Sequence, residues 1–154
     1  TEHRSIATNS VKSIRDAAFM TTQTMTLDAY YREVMHGAKS RTVEHAARLS
    51  HAVLHVLGFN LSGSIKRKLA RALPQPLGRE LTRGWRLINV RDRRLSRYKF
   101  LKDVGLHSGN TDPQYAALAT TAVFRQLKQF IDGDLSREVA KDLSPEVREL
   151  WNAA

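Results

Sequence analysis

The sequence predicts an all-α protein: two tandem related helical units of about four helices each, packed together, preceded by a short N-terminal helical extension. Three observations predict it. The chain repeats itself without gaps at an offset of 70 residues over more than half its length: Ala52-Val53-Leu54, Leu57, Leu61, Gly63, Ile65, Leu69, Ala70, Leu73, Leu77 and Leu81 recur as Ala122-Val123-Phe124, Leu127, Ile131, Gly133, Leu135, Val139, Ala140, Leu143, Val147 and Trp151. The apolar residues of each copy fall at spacings of three and four, the period of a helix buried on one side. No stretch shows the period-two alternation of a half-buried strand. What is repeated is a packing framework rather than a set of reactive groups, so the repeat speaks to architecture more directly than to function.

The elements follow in order. Residues 1–25 form the extension, where Val11, Ile14, Ala18 and Phe19 suggest an amphipathic helix with no counterpart later in the chain. The first unit, 26–85, opens with a short helix around Tyr30 to Val34, with Thr26 as its cap. A long helix is expected from Ser40 to Phe59, gathering Val43, Ala46, Ala47, Ser50, Val53, Leu54 and Leu57 on one face and Glu44, Arg48, His51 and His55 on the other. Ser62-Gly63-Ser64 then breaks the chain: its side-chain oxygens can cap the next helix and Gly63 lets the chain turn. That helix carries the stripe Ile65, Leu69 and Leu73, and Leu73-Pro74 ends it and opens another with Leu77 and Leu81.

A basic connector, 86–95, leads to the second unit, 96–154. Ser96 is placed to cap a helix around Phe100 to Val104, matching Tyr30, Tyr31 and Val34 in the first unit. After the loop His107-Ser108-Gly109-Asn110, Thr111-Asp112-Pro113 is a helix start: an acceptor side chain followed by a proline where no backbone donor is needed. The long helix, expected to run to about Ile131, carries Ala116, Ala119, Val123, Phe124 and Leu127 inward. Asp132-Gly133-Asp134, the stripe Leu135, Val139 and Leu143, then Ser144-Pro145 with Val147 and Trp151, complete the second copy.

Taken together these motifs resemble the bacterial domain-of-unknown-function 2267 family. The residues that carry the resemblance are Tyr30, Tyr31, Val34, Ala52 to Leu54, Leu61 to Gly63, Leu73 and Pro74, and in the second copy Phe100, Leu101, Val104, Ala122 to Phe124, Ile131 to Gly133, Leu143, Pro145, Val147 and Trp151. The resemblance spans about Thr26 to Ala154. It implies an all-helical two-repeat fold with no established activity, and it supplies no catalytic residues. The strongly basic middle and the N-terminal stretch depart from the family pattern, so a partner recognised through them would be particular to this chain.

Composition narrows the function classes. At 154 residues, 42% hydrophobic and 26% charged, the chain suffices for one sizeable core or two small ones, and a compact domain is expected rather than wholesale disorder. There is no cysteine, which removes disulfides, thiolate metal sites and cysteine nucleophiles. No apolar run reaches the roughly 18 residues of a membrane span, and Thr1-Glu2-His3-Arg4 lacks the apolar centre of a secretory signal. A cytoplasmic location is expected.

The net charge of +10 is concentrated: Ser64 to Lys102 holds 13 of the 25 lysines and arginines against only Glu80 and Asp92. Within that stretch the candidate contacts for an anionic partner are Lys66, Arg67, Lys68, Arg71, Arg83, Arg86, Arg91, Arg93, Arg94 and Arg97, with Trp85 and Tyr98 as candidate aromatic anchors. Lys66, Arg67, Lys68 and Arg71 are expected to project outward beside the buried stripe of their helix. The second copy has Ser136, Arg137, Glu138 and Lys141 at those positions, so the shared fold does not require the extra charge. The competing reading is that the arginines are merely solvated or pair with acids of the second unit.

His51 and His55, with Glu44, share a helical face, but a HExxH arrangement and a convincing further ligand are both lacking, so no metal and no cofactor is expected. Glycine-rich phosphate loops, nucleophile elbows and paired carboxylates are equally absent, and Asp132, Asp134 and Asp142 read as caps and surface charge. The expectation is a non-catalytic interaction or assembly module whose basic surface, about 64–102, docks onto an acidic protein. Direct nucleic-acid binding is the runner-up, an anionic membrane surface comes third, and an enzyme with an unrecognised site comes last.

Overall fold

The computed structural model describes residues 27–83 and 91–154. The expected N-terminal helix, the Thr26 cap, Trp85, Arg86 and the first half of the connector lie outside the described residues. The chain divides into two units, Thr1–Tyr30 and Tyr31–Ala154. Of the first only 27–30 are described, and they are helical. The architecture below is that of the larger unit.

Among the described residues there are eight helices and no strand: α1 over 27–37, α2 Val43–Phe59, α3 Gly63–Ala72, α4 Gln75–Thr82, α5 Arg97–His107, α6 Pro113–Leu127, α7 Gly133–Asp142 and α8 Pro145–Ala153. Each helix of the second copy starts 70 residues after its counterpart. The start signals act as their chemistry dictates. Ser96 accepts a hydrogen bond from Lys99 N, Asp112 from Gln114 N and Asp132 from Leu135 N, and Pro113 and Pro145 sit in first turns where no donor is missed.

α2 starts at Val43 rather than Ser40, capped by Thr42, which accepts from His45 N, and α6 ends at Leu127 rather than Ile131. Val43 stands in the first turn of α2, beyond the reach of the core, and is exposed. Gly63 and Gly133 are the first residues of α3 and α7, where no positive φ is demanded. Ser62 caps α3 by position but makes no side-chain cap bond.

The core is assembled from matching positions. Val34, Ala46, Ala52 to Leu54, Leu57, Leu69, Leu77 and Leu81 are buried, as are Val104, Ala116, Ala122 to Phe124, Leu127, Val139, Val147 and Trp151. Each large apolar side chain taken out of water in this way contributes about 1.5–3 kcal/mol. The copies meet through equivalent helices, α2 against α6 and α3 against α7. Lys68 on α3 reaches Glu138 on α7, while Ser62 N, ahead of α3, reaches Asp142 at the far end of α7, so these two helices run antiparallel. Contact between residues holding the same repeat position, on antiparallel equivalent helices, relates the copies by an approximate two-fold passing near Lys68 and Glu138.

The copies differ in how they close their last helix. In the first, Gly58 and Gly78 allow close backbone approach: a Cβ at Gly58 would lie 2.1 Å from Leu81 O and one at Gly78 2.6 Å from Ala70 O. The counterparts of these glycines are Lys128 and Arg148. Lys128 Nζ donates to Trp151 O and Ala154 O at the end of α8, and Arg148 Nε donates to Ala140 O at 2.7 Å. The first copy packs helix against helix; the second places a long cation on the same carbonyls.

Candidate functional site, a basic stretch and a half-buried acid

The structure separates the candidate cations into three groups. Arg67 and Arg71 on α3, Arg93 and Arg94 in the turn before α5, and Arg97 at the start of α5 are exposed, and none has a carboxylate partner among the described residues. Tyr98, 65% exposed, stands beside Arg97. Arg83, also exposed, follows α4, and its charge acts on Glu80.

The second group is engaged within the chain. Lys68 lies 3.2 Å from Glu138. Arg91 Nη1 lies 2.7 Å from Asp142 Oδ1, both side chains largely covered, and the other carboxylate oxygen of Asp142 accepts from Ser62 N at 2.6 Å. Asp142 is thus not surface charge; it ties the connector to the starts and ends of two helices. Part of the surplus charge is neutralised by acids of the second copy, because the two-fold turns the acidic face of α7 toward α3 and the connector.

Lys66 is the correction among the site residues. It does not project outward: the residue is only 5% exposed, and burial lowers the pKa of its amine. Lys66 and Leu69 are the buried residues of α3, with Leu73 buried just past its end, so the aliphatic stem of Lys66 is counted with the covered face of the helix.

Ser62, Asp142 and Arg91 bring the start of α3 and the connector to one end of α7. Ser144 Oγ, donating to Leu95 O at 2.8 Å, fixes the connector's end against the α7–α8 junction. Trp85 and Arg86 lie outside the described residues.

Glu80 is the residue that sequence reasoning missed. It stands on α4 where the second copy has the buried Leu150, and its Oε1 is 3.6 Å from His51 Nδ1 on α2. Its Oε2 is buried and has no hydrogen-bond partner among the described residues. Burial pushes its pKa above the ordinary value, opposed by His51 and Arg83. Burial, and then the charge of Glu80, push the pKa of Tyr31 up as well.

The His55 ring packs edge-on against His107 at 4.6 Å. Yet no group of three or more His, Asp or Glu that could hold a metal ion exists among the described residues. His51 lines an open cleft of about 360 Å³ with Arg48 and His107, and Glu80 lines another of about 470 Å³ with Arg79 and Arg83. The signal that could have found this pair was the repeat itself: His51 and Glu80 replace Thr121 and Leu150 of the other copy.

The fold and the site define a tandem helical repeat in which one copy and the connector carry the excess positive charge. The chain belongs to a family of uncharacterized conserved proteins, DUF2267, whose model matches residues 27–150 and so takes in both copies. No curated protein matches the chain. No helix among the described residues is long and apolar enough to cross a membrane.

Proposed function

We propose that the protein is a non-catalytic helical docking module of the cytoplasm, which engages an acidic protein surface through Arg67, Arg71, Arg93, Arg94 and Arg97, with Tyr98 as an aromatic anchor. The observation that carries this reading is that these five arginines stay exposed without carboxylate partners while Lys68 and Arg91 are neutralised. Arg71, in the last turn of α3, suits the helix dipole, but the placement of Arg67 in the first half of α3, and of Arg93, Arg94 and Arg97 at or ahead of the start of α5, works against the fold. Neither α3 nor α5 has an acid in its first turn, and α5 opens Arg97-Tyr98-Lys99, cations at the positive end of a helix dipole, whereas α7 opens with Asp134. Charge retained where it does not stabilise the helix is charge available to a partner.

The test combines capture with charge reversal. The untagged chain is recovered from its native cells at moderate salt, with and without nuclease, alongside R93E/R94E/R97E. A stoichiometric acidic protein that survives nuclease and is lost with the triple variant is the expected result. Loss on nuclease treatment would hand the function to nucleic acid, for which affinity falls steeply with salt. Capture unchanged by the triple variant would remove the basic stretch from the mechanism altogether.

A further inference from the structure

A cleft of about 600 Å³ lies where the first turns of α2 and α6 come together, in the size range of small-molecule sites. Its walls come from both copies, and they differ in chemistry. Lys39, Arg41, His45 and Arg48 line it from the first copy. The positions equivalent to these are Gly109, Thr111, Tyr115 and Leu118, and of them Thr111 and Tyr115 also line the cleft. The two-fold that relates the copies is therefore broken here into a cationic side and an aromatic side. Tyr115 is 55% exposed although it is a large aromatic residue, which leaves a ring face open to a ligand.

The starts of α2 and α6 are already capped by their own side chains. Thr42 accepts from His45 N, and the Asp112 carboxylate, the one acid among the described residues that line the cleft, accepts from Gln114 N at 2.8 Å. His45 is held in place by Ser40, whose Oγ lies 3.0 Å from its Nδ1. Lys39, Arg41 and Arg48 have no carboxylate partner among the described residues, so three basic side chains line the cleft against one described acid.

We infer that this cleft binds a small organic anion with a flat apolar body, an aryl phosphate or aryl carboxylate in chemical class, the anionic group taken by Arg41, Lys39 and Arg48 and the ring laid on Tyr115. Guanidinium groups hold such oxyanions in paired hydrogen bonds, and an aromatic face stacks the attached ring. The site is separate from the basic stretch proposed for docking, and its test is independent of that reading.

The experiment titrates the full chain with phenyl phosphate, inorganic phosphate and benzyl alcohol by calorimetry or by chemical-shift changes. Phenyl phosphate is expected to bind at least about tenfold more tightly than either fragment, because only it engages both walls. Arg41→Glu is expected to weaken phenyl phosphate at least about tenfold, and Tyr115→Ala to bring it down to the level of inorganic phosphate. Both residues are exposed, so both variants should keep the helical content of the parent, and R93E/R94E should bind phenyl phosphate as the parent does. Equal affinity for phenyl phosphate and inorganic phosphate would overturn the inference. So would unchanged binding in either cleft variant, or an equal loss in R93E/R94E, which would put the ligand on the connector.

Discussion

Lys68 and Glu138 occupy the same position of the two repeats and touch each other, Nζ to Oε2 at 3.2 Å. An acid and a base at one repeat position, facing across an approximate two-fold, make the junction of α3 and α7 heterologous in charge while it stays symmetric in shape. Both side chains are about half exposed, at 55% and 44%, so solvent screens the pair and its contribution to stability is small. Lys68→Ala should change the urea-unfolding free energy by less than about 1 kcal/mol. Lys68→Glu should cost somewhat more through like-charge repulsion, and adding Glu138→Lys should restore it. A swapped double variant no better than Lys68→Glu alone would show that the pair does not interact in solution.

Asp142 belongs to a different regime, because it is largely covered and serves two partners. Asp142→Ala strands both the Arg91 guanidinium and the Ser62 amide, and is expected to cost about 2–4 kcal/mol. Arg91→Ala leaves the Ser62 contact in place and should cost about 1–2 kcal/mol. Chemical denaturation of the two variants checks the order. Equal losses would mean that the Ser62 contact adds nothing.

Glu80 is expected to destabilise the fold at neutral pH. Its folded-state pKa is raised above the ordinary 4.5 by burial, so between that value and the raised one the folded chain binds more protons than the unfolded chain, and stability falls as pH rises. Above the raised value the full penalty remains; below 4.5 it is gone. Glu80→Leu, which copies the residue of the second repeat, should therefore stabilise the chain by about 1–2 kcal/mol at pH 7. The gain should shrink as the pH is lowered toward 4.5. A gain that is flat across this range would place it in leucine packing rather than in the ionisation of Glu80, and a loss at pH 7 would mean that the His51 contact outweighs desolvation.

The two ways of closing the last helix respond differently to a small change. Gly58→Ala puts a methyl group 2.1 Å from Leu81 O, a backbone atom that can move only if α4 shifts, and should cost about 3 kcal/mol or more. Lys128→Ala, at the matching position, removes hydrogen bonds from a partly exposed amine and should cost about 1 kcal/mol. Thermal unfolding of both variants measures the contrast, and a tolerated Gly58→Ala would show that α4 is free to slide.

Much of the fold was legible because helical signals are local. Asp112 with Pro113 and Ser96 ahead of α5 act within their own first turns, so reading them needs no knowledge of distant residues. The apolar stripes carry the period of the helix, and the constant offset between the copies set the number and order of the elements. Lys66 shows where this fails: a stripe gives the angular direction of a face, but not how wide a face the neighbouring helices will cover.

Which cations remain available was decided by tertiary structure. Lys68, Arg91 and Arg93 read alike in the sequence, yet Glu138 and Asp142 neutralise the first two and leave the third. The same holds for Glu80 beside His51, and for the cationic and aromatic walls of the cleft between α2 and α6. The sequence by itself determined the helices, their duplication and the sign of the charge, since these follow from spacing and composition. The electrostatic neighbours depended on how the two copies meet about their two-fold, because interaction energy is set by separation and burial in space, and residues 51 to 80 positions apart along the chain become neighbours only when the helices dock.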